Sequence, residues 1–366
     1  MTEGVVHVIE PTLVSEAGHC SIVVQSLCAA GEGLRFTVWV GRGAQISWPQ
    51  LPDAEIRPYF VRRFRRLQAL WLFWRLLRGS GRIVVSTAGR TDLVLLDLAS
   101  GKPIPPGKVF LYVHQMRFGQ GKLDAMRRLA QKQPNVMFLC TTEEIEKEVQ
   151  GCGFRSTMVV VPLPDQPEQN EERIPSTLFR HVLLAGAARS DKGFREAVEL
   201  IKHLSIIGAS VPVSIQTSGD HYGRYDDSTQ RAIDLLKTIN YSSLTILPDT
   251  LTRLDYVRLF KGAICLQPYD RAEYANKLSG VTLDAFAVGA PVVTLSHTWM
   301  ARMVEQFGAG VVIDEPTNEA LYSALEKVRS NFAYYSAKAS QAGLALKKRN
   351  QWAAVIEKLK GQTDSA

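Results

Sequence analysis

Short apolar runs alternate with longer amphipathic segments along most of the chain. The runs are rich in β-branched residues, which is typical of parallel strands buried on both faces. In the first half they are Val5–Ile9, Phe36–Val40, Ile83–Ser86, Val109–Val113, Val136–Cys140 and Met158–Val161. In the second half they are His181–Ala185, Val211–Gln216, Leu244–Leu247, Ala263–Leu266, Pro291–Leu295 and Val311–Ile313. The alternation predicts an α/β protein with two Rossmann-like, doubly wound parallel sheets.

The segments between these runs give the helices and the domain boundaries. Helical patterns cover Cys20–Ala30, Phe60–Arg78, Phe194–Leu204 and the basic stretch Leu344–Leu359. The pattern breaks at 162–173, which is rich in proline and acidic residues and is typical of a linker. We therefore predict an N-terminal domain over 1–165, a linker over 166–178, a C-terminal domain over 179–342, and a basic helix and tail over 343–366.

Composition narrows the class of protein. The chain has 366 residues, enough for two domains, and 46% of them are hydrophobic, which excludes disorder along the whole chain. Five cysteines without a CxxC pair argue against a disulfide framework and a cysteine zinc site. No secretory signal is evident, and the longest apolar stretch, Leu67–Leu77, is too short to span a bilayer. These features predict a cytoplasmic protein, and the net charge of +7 favours anionic partners.

A glycine-rich turn with two cations follows the first strand of the second half. It runs from Gly186 to Gly193, contains Arg189 and Lys192, and precedes the helix at Phe194. Glycine lets backbone amides approach an anion, and cations and a helix N-terminus attract it, so a diphosphate is the expected ligand. The alternative is a solvated turn with incidental charges, because such turns are common.

A second candidate lies at the start of a later helix. Ser279 and Gly280 suit its N-terminus, where the first amides point out of the helix. Asp284 follows one turn later on the same side, where a carboxylate can accept the hydroxyls of a ribose while the helix start holds phosphate. The alternative is that Asp284 is only a solvated helix residue.

Together these motifs resemble one enzyme family. Their order and spacing are similar to those in the C-terminal domain of GT-B glycosyltransferases of the glycogen-synthase-like, mostly retaining superfamily (glycosyl transferases group 1). The matching segments are Gly186…Lys192-Gly193, Leu254–Pro268 and Ser279-Gly280…Asp284…Gly289-x-Pro291. The resemblance covers about 181–315. It implies the GT-B fold, two Rossmann-like domains facing across a cleft, with a C-terminal helix that crosses back.

The resemblance also implies roles for single residues on the donor side. Lys192 and Gly193 match the Lys-Gly pair that binds the donor diphosphate, and Asp284 matches the second of two family glutamates, which binds ribose. Two positions depart from the family: Ala187 takes the place of an arginine, for which Arg189 is the nearest substitute, and Asn276 replaces the first glutamate. The donor-contacting residues implied in this way are Gly18, Gly186, Gly193, Lys277, Ser279, Gly280, Val281 and Asp284.

In the N-terminal half the resemblance is looser. Gly18 matches a loop near the diphosphate, His19 is a candidate for acceptor contact, and His114 matches a strand-end histidine that faces the donor sugar and acceptor. For His114 the alternative is a structural histidine at a strand end, and for His19 a helix start. His114, Arg189 and Lys192 are the candidate catalytic residues.

The resemblance implies a metal-independent hexosyltransferase without a cofactor. It would move a sugar from a nucleotide-diphosphate donor to a saccharide or lipid-linked acceptor in surface polysaccharide or glycolipid biosynthesis, with retention at the anomeric carbon. The alternatives are a sugar-nucleotide epimerase of the same architecture and a catalytically silent scaffold that binds nucleotide-sugar or glycan. Asn276 is the residue that favours the silent scaffold.

One helix carries an unusual mixture of arginine and aromatic residues. This mixture is typical of a helix that contacts the anionic inner face of the cell membrane. The candidate contact residues are Arg62, Arg63, Arg65, Arg66, Trp71 and Trp74. The alternative is a helix whose apolar face, including Leu67, Leu70 and Leu77, packs on the sheet while the arginines stay solvated. Nucleic acid is not expected, because no nucleic-acid-binding motif accompanies the arginines.

Overall fold

The computed structural model describes residues 4–16, 19–114, 120–158, 178–219, 225–349 and 352–360. The chain divides into two compact units, one of Met1–Pro164 with Arg349–Ala366 and one of Asp165–Lys348. Except for Leu178, the linker predicted over 166–178 lies outside the described residues. Each unit is described by itself.

The first unit contains a parallel sheet of seven strands. They are β1 Val5–Glu10, β2 Arg35–Gly41, β3 Ala54–Phe60, β4 Arg82–Val85, β5 Val109–Val113, β6 Met137–Cys140 and β7 Arg155–Met158. Their order in the sheet is β3-β2-β1-β4-β5-β6-β7. The central strands are buried apolar runs because helices cover both faces.

The helices of this unit lie in the crossovers and at the end of the chain. They are α1 His19–Ala30, α2 Arg65–Arg78, α3 Arg90–Ser100, α4 Gln120–Lys132 and α5 Glu143–Gly151, followed much later by α14 Ala353–Lys360. The apolar cluster of β1 and β2 includes four side chains from this end of the chain, Trp352, Val355, Ile356 and Leu359. The Trp352 indole also donates a 2.9 Å hydrogen bond to Ser26 Oγ. The C-terminal helix therefore returns to the N-terminal unit, as predicted.

The second unit contains a parallel sheet of six strands. They are β8 His181–Leu184, β9 Val213–Gln216, β10 Leu244–Leu247, β11 Ala263–Gln267, β12 Val292–Leu295 and β13 Gly310–Ile313, in the order β10-β9-β8-β11-β12-β13. Its helices are α6 Phe194–Ile206, α7 Asp227–Thr238, α8 Arg253–Leu259, α9 Arg271–Tyr274, α10 Gly280–Ala287, α11 Trp299–Phe307, α12 Asn318–Ser330 and α13 Phe332–Arg349. In each sheet the strand order reverses beside the first strand of the unit, between β1 and β4 and between β8 and β11, and ligands bind at such switch points.

Three predicted elements are corrected by the structure. The helix predicted over Phe60–Arg78 is wrong at its start, because Phe60 ends β3 and α2 begins at Arg65. The helix predicted over Leu344–Leu359 is two helices, α13 and α14. The strand predicted over Met158–Val161 runs over Arg155–Met158, and 159–161 lie outside the described residues. Among the helices of the described residues, none combines the length and apolar character needed to cross a bilayer.

Candidate active site

The carboxyl ends of β8 and β11 lie side by side at the switch point of the second sheet. Gly186 follows β8 with a φ of 89°, and its amide donates a 2.6 Å hydrogen bond to Gln216 Oε1 at the end of β9. Gly193 has a φ of 66°, and a Cβ there would collide with the carbonyl of Pro268, which follows β11. Both residues have a positive φ that other residues rarely adopt, and Gly193 also lets the turn pass close to the backbone of Pro268.

Lys192 and the start of α10 meet at Gly186. A Cβ on Gly186 would stand 2.8 Å from Lys192 Nζ and 3.5 Å from Val281 Cγ2, so both side chains border the same point. Val281 belongs to the first turn of α10, and the N-cap Ser279 accepts a 3.3 Å hydrogen bond from the amide of Thr282. The structure therefore brings Gly186, Lys192, Ser279, Gly280 and Val281 together.

The ammonium group of Lys192 is buried close to other positive charges, which lowers its pKa. Burial, followed by the positive charge of Arg189, lowers its pKa to about 8, against the opposing effect of Asp191. The charge of Lys277 lowers it further, and Lys277 Nζ itself lies 4.8 Å from the centre of the Tyr274 ring. A partly desolvated cation among other cations gains most when an anion binds beside it.

Arg189 is held by a carboxylate rather than pointing freely toward a ligand. Its Nε donates a 2.8 Å hydrogen bond to Asp191 Oδ1, and its Nη2 donates to Asp191 Oδ2. The ion pair offsets part of the positive charge that the sequence assigned to this position. Lys192 is the stronger candidate for contact with a phosphate.

Asp284 is neither solvated nor unpartnered. Its side chain is 9% exposed, and its Oδ1 accepts a 2.7 Å hydrogen bond from Nη2 of Arg253, at the start of α8. Burial raises the pKa of the Cys265 thiol on β11, Asp284 raises it further, and Lys192 opposes this effect. Asp284 and Lys192 therefore act on one buried thiol, and the interpretation of Asp284 as a solvated helix residue is wrong.

Arg253 is a site residue that the sequence analysis missed. It follows the N-cap Thr252 and lies 5.7 Å from the centre of the Tyr256 ring. Thr252 and Asp255 signal a helix start, because a threonine N-cap followed three residues later by an acidic residue is a capping pattern. Nothing in that pattern identifies a partner 31 positions along the chain.

In the first unit, His114 lies at the carboxyl end of β5. Its Nε2 is 3.2 Å from the backbone oxygen of Ser86, and its ring packs edge-on against Tyr112. Ser86 Oγ in turn donates to Glu10, a fully buried carboxylate at the end of β1. Glu10 was missed because a lone acidic residue after a strand carries no motif. The structure thus places a buried carboxylate at the switch point of the first sheet, between β1 and β4, and a histidine at the end of the next strand, β5.

The remaining candidates belong to the first unit. Gly18 lies outside the described residues, and His19 is the first residue of α1. Arg62, Arg63, Arg65, Arg66, Trp71 and Trp74 are exposed on and just before α2. In the part of the chain that the structure describes, no group of three histidine, cysteine, aspartate or glutamate side chains has the arrangement of metal ligands.

Comparison by sequence finds no matching family model and no matching curated protein. Comparison by structure gives many matches, and the three described here cover nearly the whole chain. Sucrose-phosphate synthase from Thermosynechococcus elongatus is 12% identical with a TM-score of 0.71, and the match covers 98% of each chain. WaaG, a glycosyltransferase involved in lipopolysaccharide biosynthesis, is 15% identical with a TM-score of 0.64, covering 97% of this chain and 100% of that one.

A third structure was determined with ligands. HepE from Anabaena, in complex with UDP and glucose, is 12% identical with a TM-score of 0.66, and the match covers 99% of each chain. At this identity the likeness establishes the fold and leaves the reaction to be argued from the residues. Because these matches extend over nearly the whole chain and both of its parallel sheets, the chain has the GT-B fold of glycosyltransferases.

Proposed function

We propose that the protein is a glycosyltransferase that moves a sugar from a nucleotide-diphosphate donor to a saccharide or lipid-linked acceptor. The observation that carries the proposal is the convergence of Lys192 Nζ and the first turn of α10 on Gly186. A cation and a set of helix-start amides at the carboxyl end of a parallel sheet suit a diphosphate.

In this proposal the donor binds mainly to the second unit. Lys192 and the amides of Gly280 and Val281 hold the diphosphate, and they stabilise the charge that develops on it as the bond to the sugar breaks. Asp284, oriented by Arg253, accepts the ribose hydroxyls with the carboxylate oxygen that Arg253 leaves available. A fixed cation and a helix dipole take the part that a metal ion plays in other transferases, so the proposed reaction needs no metal or cofactor.

We also propose transfer with retention. The leaving diphosphate oxygen then takes the proton of the acceptor hydroxyl on the face where it departs, and no strong protein base is needed. His114 contacts the acceptor or the transferred sugar in this scheme. An inverting reaction would need a base, and His114 and His19 would be the candidates. The proposed setting is cytoplasmic, in the assembly of surface polysaccharide or glycolipid.

Calorimetric titration with UDP and GDP tests the donor site. We expect one of them to bind with micromolar affinity, and a matching nucleotide-sugar to be consumed when acceptors are supplied. Failure of both nucleotides to bind would contradict the proposal. Binding without turnover across a panel of acceptors would favour the silent scaffold, for which Asn276 in place of the family's first glutamate is the supporting observation.

The affinity for the diphosphate should depend on pH through Lys192. Because its pKa in the free protein is about 8, the ammonium form that attracts phosphate is lost as the pH rises through that value. Above it, the protein must take up a proton to bind, so the dissociation constant should rise by up to about tenfold per pH unit. The measurement is calorimetry between neutral and alkaline pH in buffers of different ionisation enthalpy, which also counts the proton taken up.

The matched control for this pH dependence is Lys192→Arg. A guanidinium group keeps its charge over the whole range, so the variant should bind with an affinity that changes little with pH. The same pH dependence in the arginine variant would assign the titration to another group.

A further inference from the structure

The outer face of α2 is apolar where a surface helix is normally polar. Leu67, Trp71 and Trp74 follow one another at spacings of four and three residues, which places them on one face, and Phe64 precedes them. These four side chains are between 47 and 69% exposed, whereas Ala69, Leu72, Phe73 and Leu76 are buried against the sheet. The expectation that Leu67 packs on the sheet is therefore wrong.

Arginines lie beside the exposed aromatic rings of this outer face and stack on them. The Arg78 guanidinium lies 4.2 Å from the centre of the Trp74 ring, and the Arg75 guanidinium lies 5.7 Å from that of Trp71. Arg63 lies 5.8 Å from the Phe64 ring. Such stacking keeps the cationic groups at the level of the aromatic rings, so that charge and apolar surface are presented together.

The neighbouring helix α3, which packs against α2, widens the surface. Its outer positions Val94 and Leu98 are exposed, the latter by 66%. Both helices follow strands of a parallel sheet, so both begin at the carboxyl edge of that sheet. Arg62, Arg63, Arg65 and Arg66 lie just before or in the first turn of α2, which places most of the added charge at that edge.

We propose that this face, formed by Phe64, Leu67, Trp71, Trp74, Val94 and Leu98 with the arginines of 62–78, docks on the surface of an anionic lipid bilayer. Indole rings and leucines enter the boundary between headgroups and acyl chains, while arginines pair with lipid phosphates. The proposal does not depend on the proposed reaction.

Charge favours a bilayer over a second copy of the chain. Segment 60–78 contains six arginines and no aspartate or glutamate. A two-fold dimer through this face would set the same six cations against one another, because each copy presents the same surface. An anionic membrane supplies the opposite charge over the whole area. If the chain also transfers sugar as proposed, the docked face brings the sheet edge that carries His114 next to the headgroups, where a lipid-linked acceptor is found.

Vesicle flotation tests the proposal with the full chain. We expect the protein to float with vesicles of equal parts phosphatidylcholine and phosphatidylglycerol, and not with phosphatidylcholine alone. Arg65→Glu/Arg66→Glu should weaken binding by roughly tenfold or more, given the contribution of each arginine near an anionic surface. The matched control is Arg195→Glu/Lys237→Glu, which changes net charge equally at exposed cations of the other unit and should leave binding nearly unchanged.

Brominated lipids show whether the indoles enter the bilayer. Tryptophan emission should be quenched in the parent protein, and much less in Trp71→Phe/Trp74→Phe, which still floats. Absence of flotation with anionic vesicles would overturn the proposal, as would equal weakening by the control pair or quenching that persists in the double phenylalanine variant. A dimer that Trp71→Ser/Trp74→Ser dissociates, in a protein that ignores vesicles, would assign the face to self-association instead.

Discussion

Replacing Lys192 with methionine should weaken binding of a nucleoside diphosphate by about 100-fold or more, because it removes the charge that we propose faces the phosphate in a partly desolvated site. The same substitution should not lower the stability of the folded protein. The native ammonium is held at a lowered pKa by burial and by Arg189, so the fold gains nothing from its charge. Methionine keeps the length of the stem, and the melting temperature should stay the same or rise.

Calorimetry for affinity and differential scanning calorimetry for stability measure the two effects separately. Lys237→Met, at an exposed lysine of α7, is the matched control and should change neither quantity appreciably. A Lys192→Met protein that melts several degrees lower but binds the nucleotide normally would contradict the assigned role. Its lysine would then be a packing residue of the turn.

The central strands could be predicted from the sequence because their burial on both faces leaves an unbroken apolar signature. Val109–Val113, a central strand whose five residues are all buried, agrees with the structure at both ends. Strand β3 was missed because it lies at the edge of its sheet, contains Pro58 and is mostly solvent-accessible. Edge strands tolerate proline and charge, so their sequences lack the pattern that identifies buried strands.

The exposed face of α2 could not be predicted from the sequence, for a different reason. A periodic apolar pattern predicts that a helix has an apolar stripe, and the natural assumption is that the stripe faces the core. Here Leu72 and Leu76 face the core, and Leu67 faces solvent, on the opposite side of the same helix. A helix that is apolar on two sides cannot be oriented from its sequence alone, since burial is decided by the sheet it packs on.

The candidate site also contains features that the sequence predicts and features that it does not. The turn at Gly186–Gly193 and the helix start at Ser279 are contiguous motifs, and their local geometry could be predicted from residue types. The pairing of Arg253 with Asp284, and of Ser86 with Glu10, joins residues that are distant in sequence. Such pairs depend on how strands are ordered in the sheet, which no local pattern encodes.

The Arg253–Asp284 pair gives the largest expected effect on stability. Arg253→Met should lower the free energy of unfolding by about 3 kcal/mol, because it leaves a buried carboxylate without its cation. Asp284→Asn should cost less, since the Arg253 side chain is 26% exposed and can turn toward water, whereas that of Asp284 is 9% exposed. The asymmetry follows from which partner has access to solvent.

Urea unfolding of both single variants and of Arg253→Met/Asp284→Asn measures this asymmetry as a double-mutant cycle. The double variant should be more stable than Arg253→Met, because an amide in the same place carries no charge that needs a partner. A cost below about 1 kcal/mol for Arg253→Met would mean that the pair behaves as a surface ion pair. A second readout concerns the ribose: if Arg253 orients Asp284 toward it, Arg253→Met should reduce the preference for UDP over 2′-deoxy-UDP, and an unchanged preference would restrict Arg253 to a structural role.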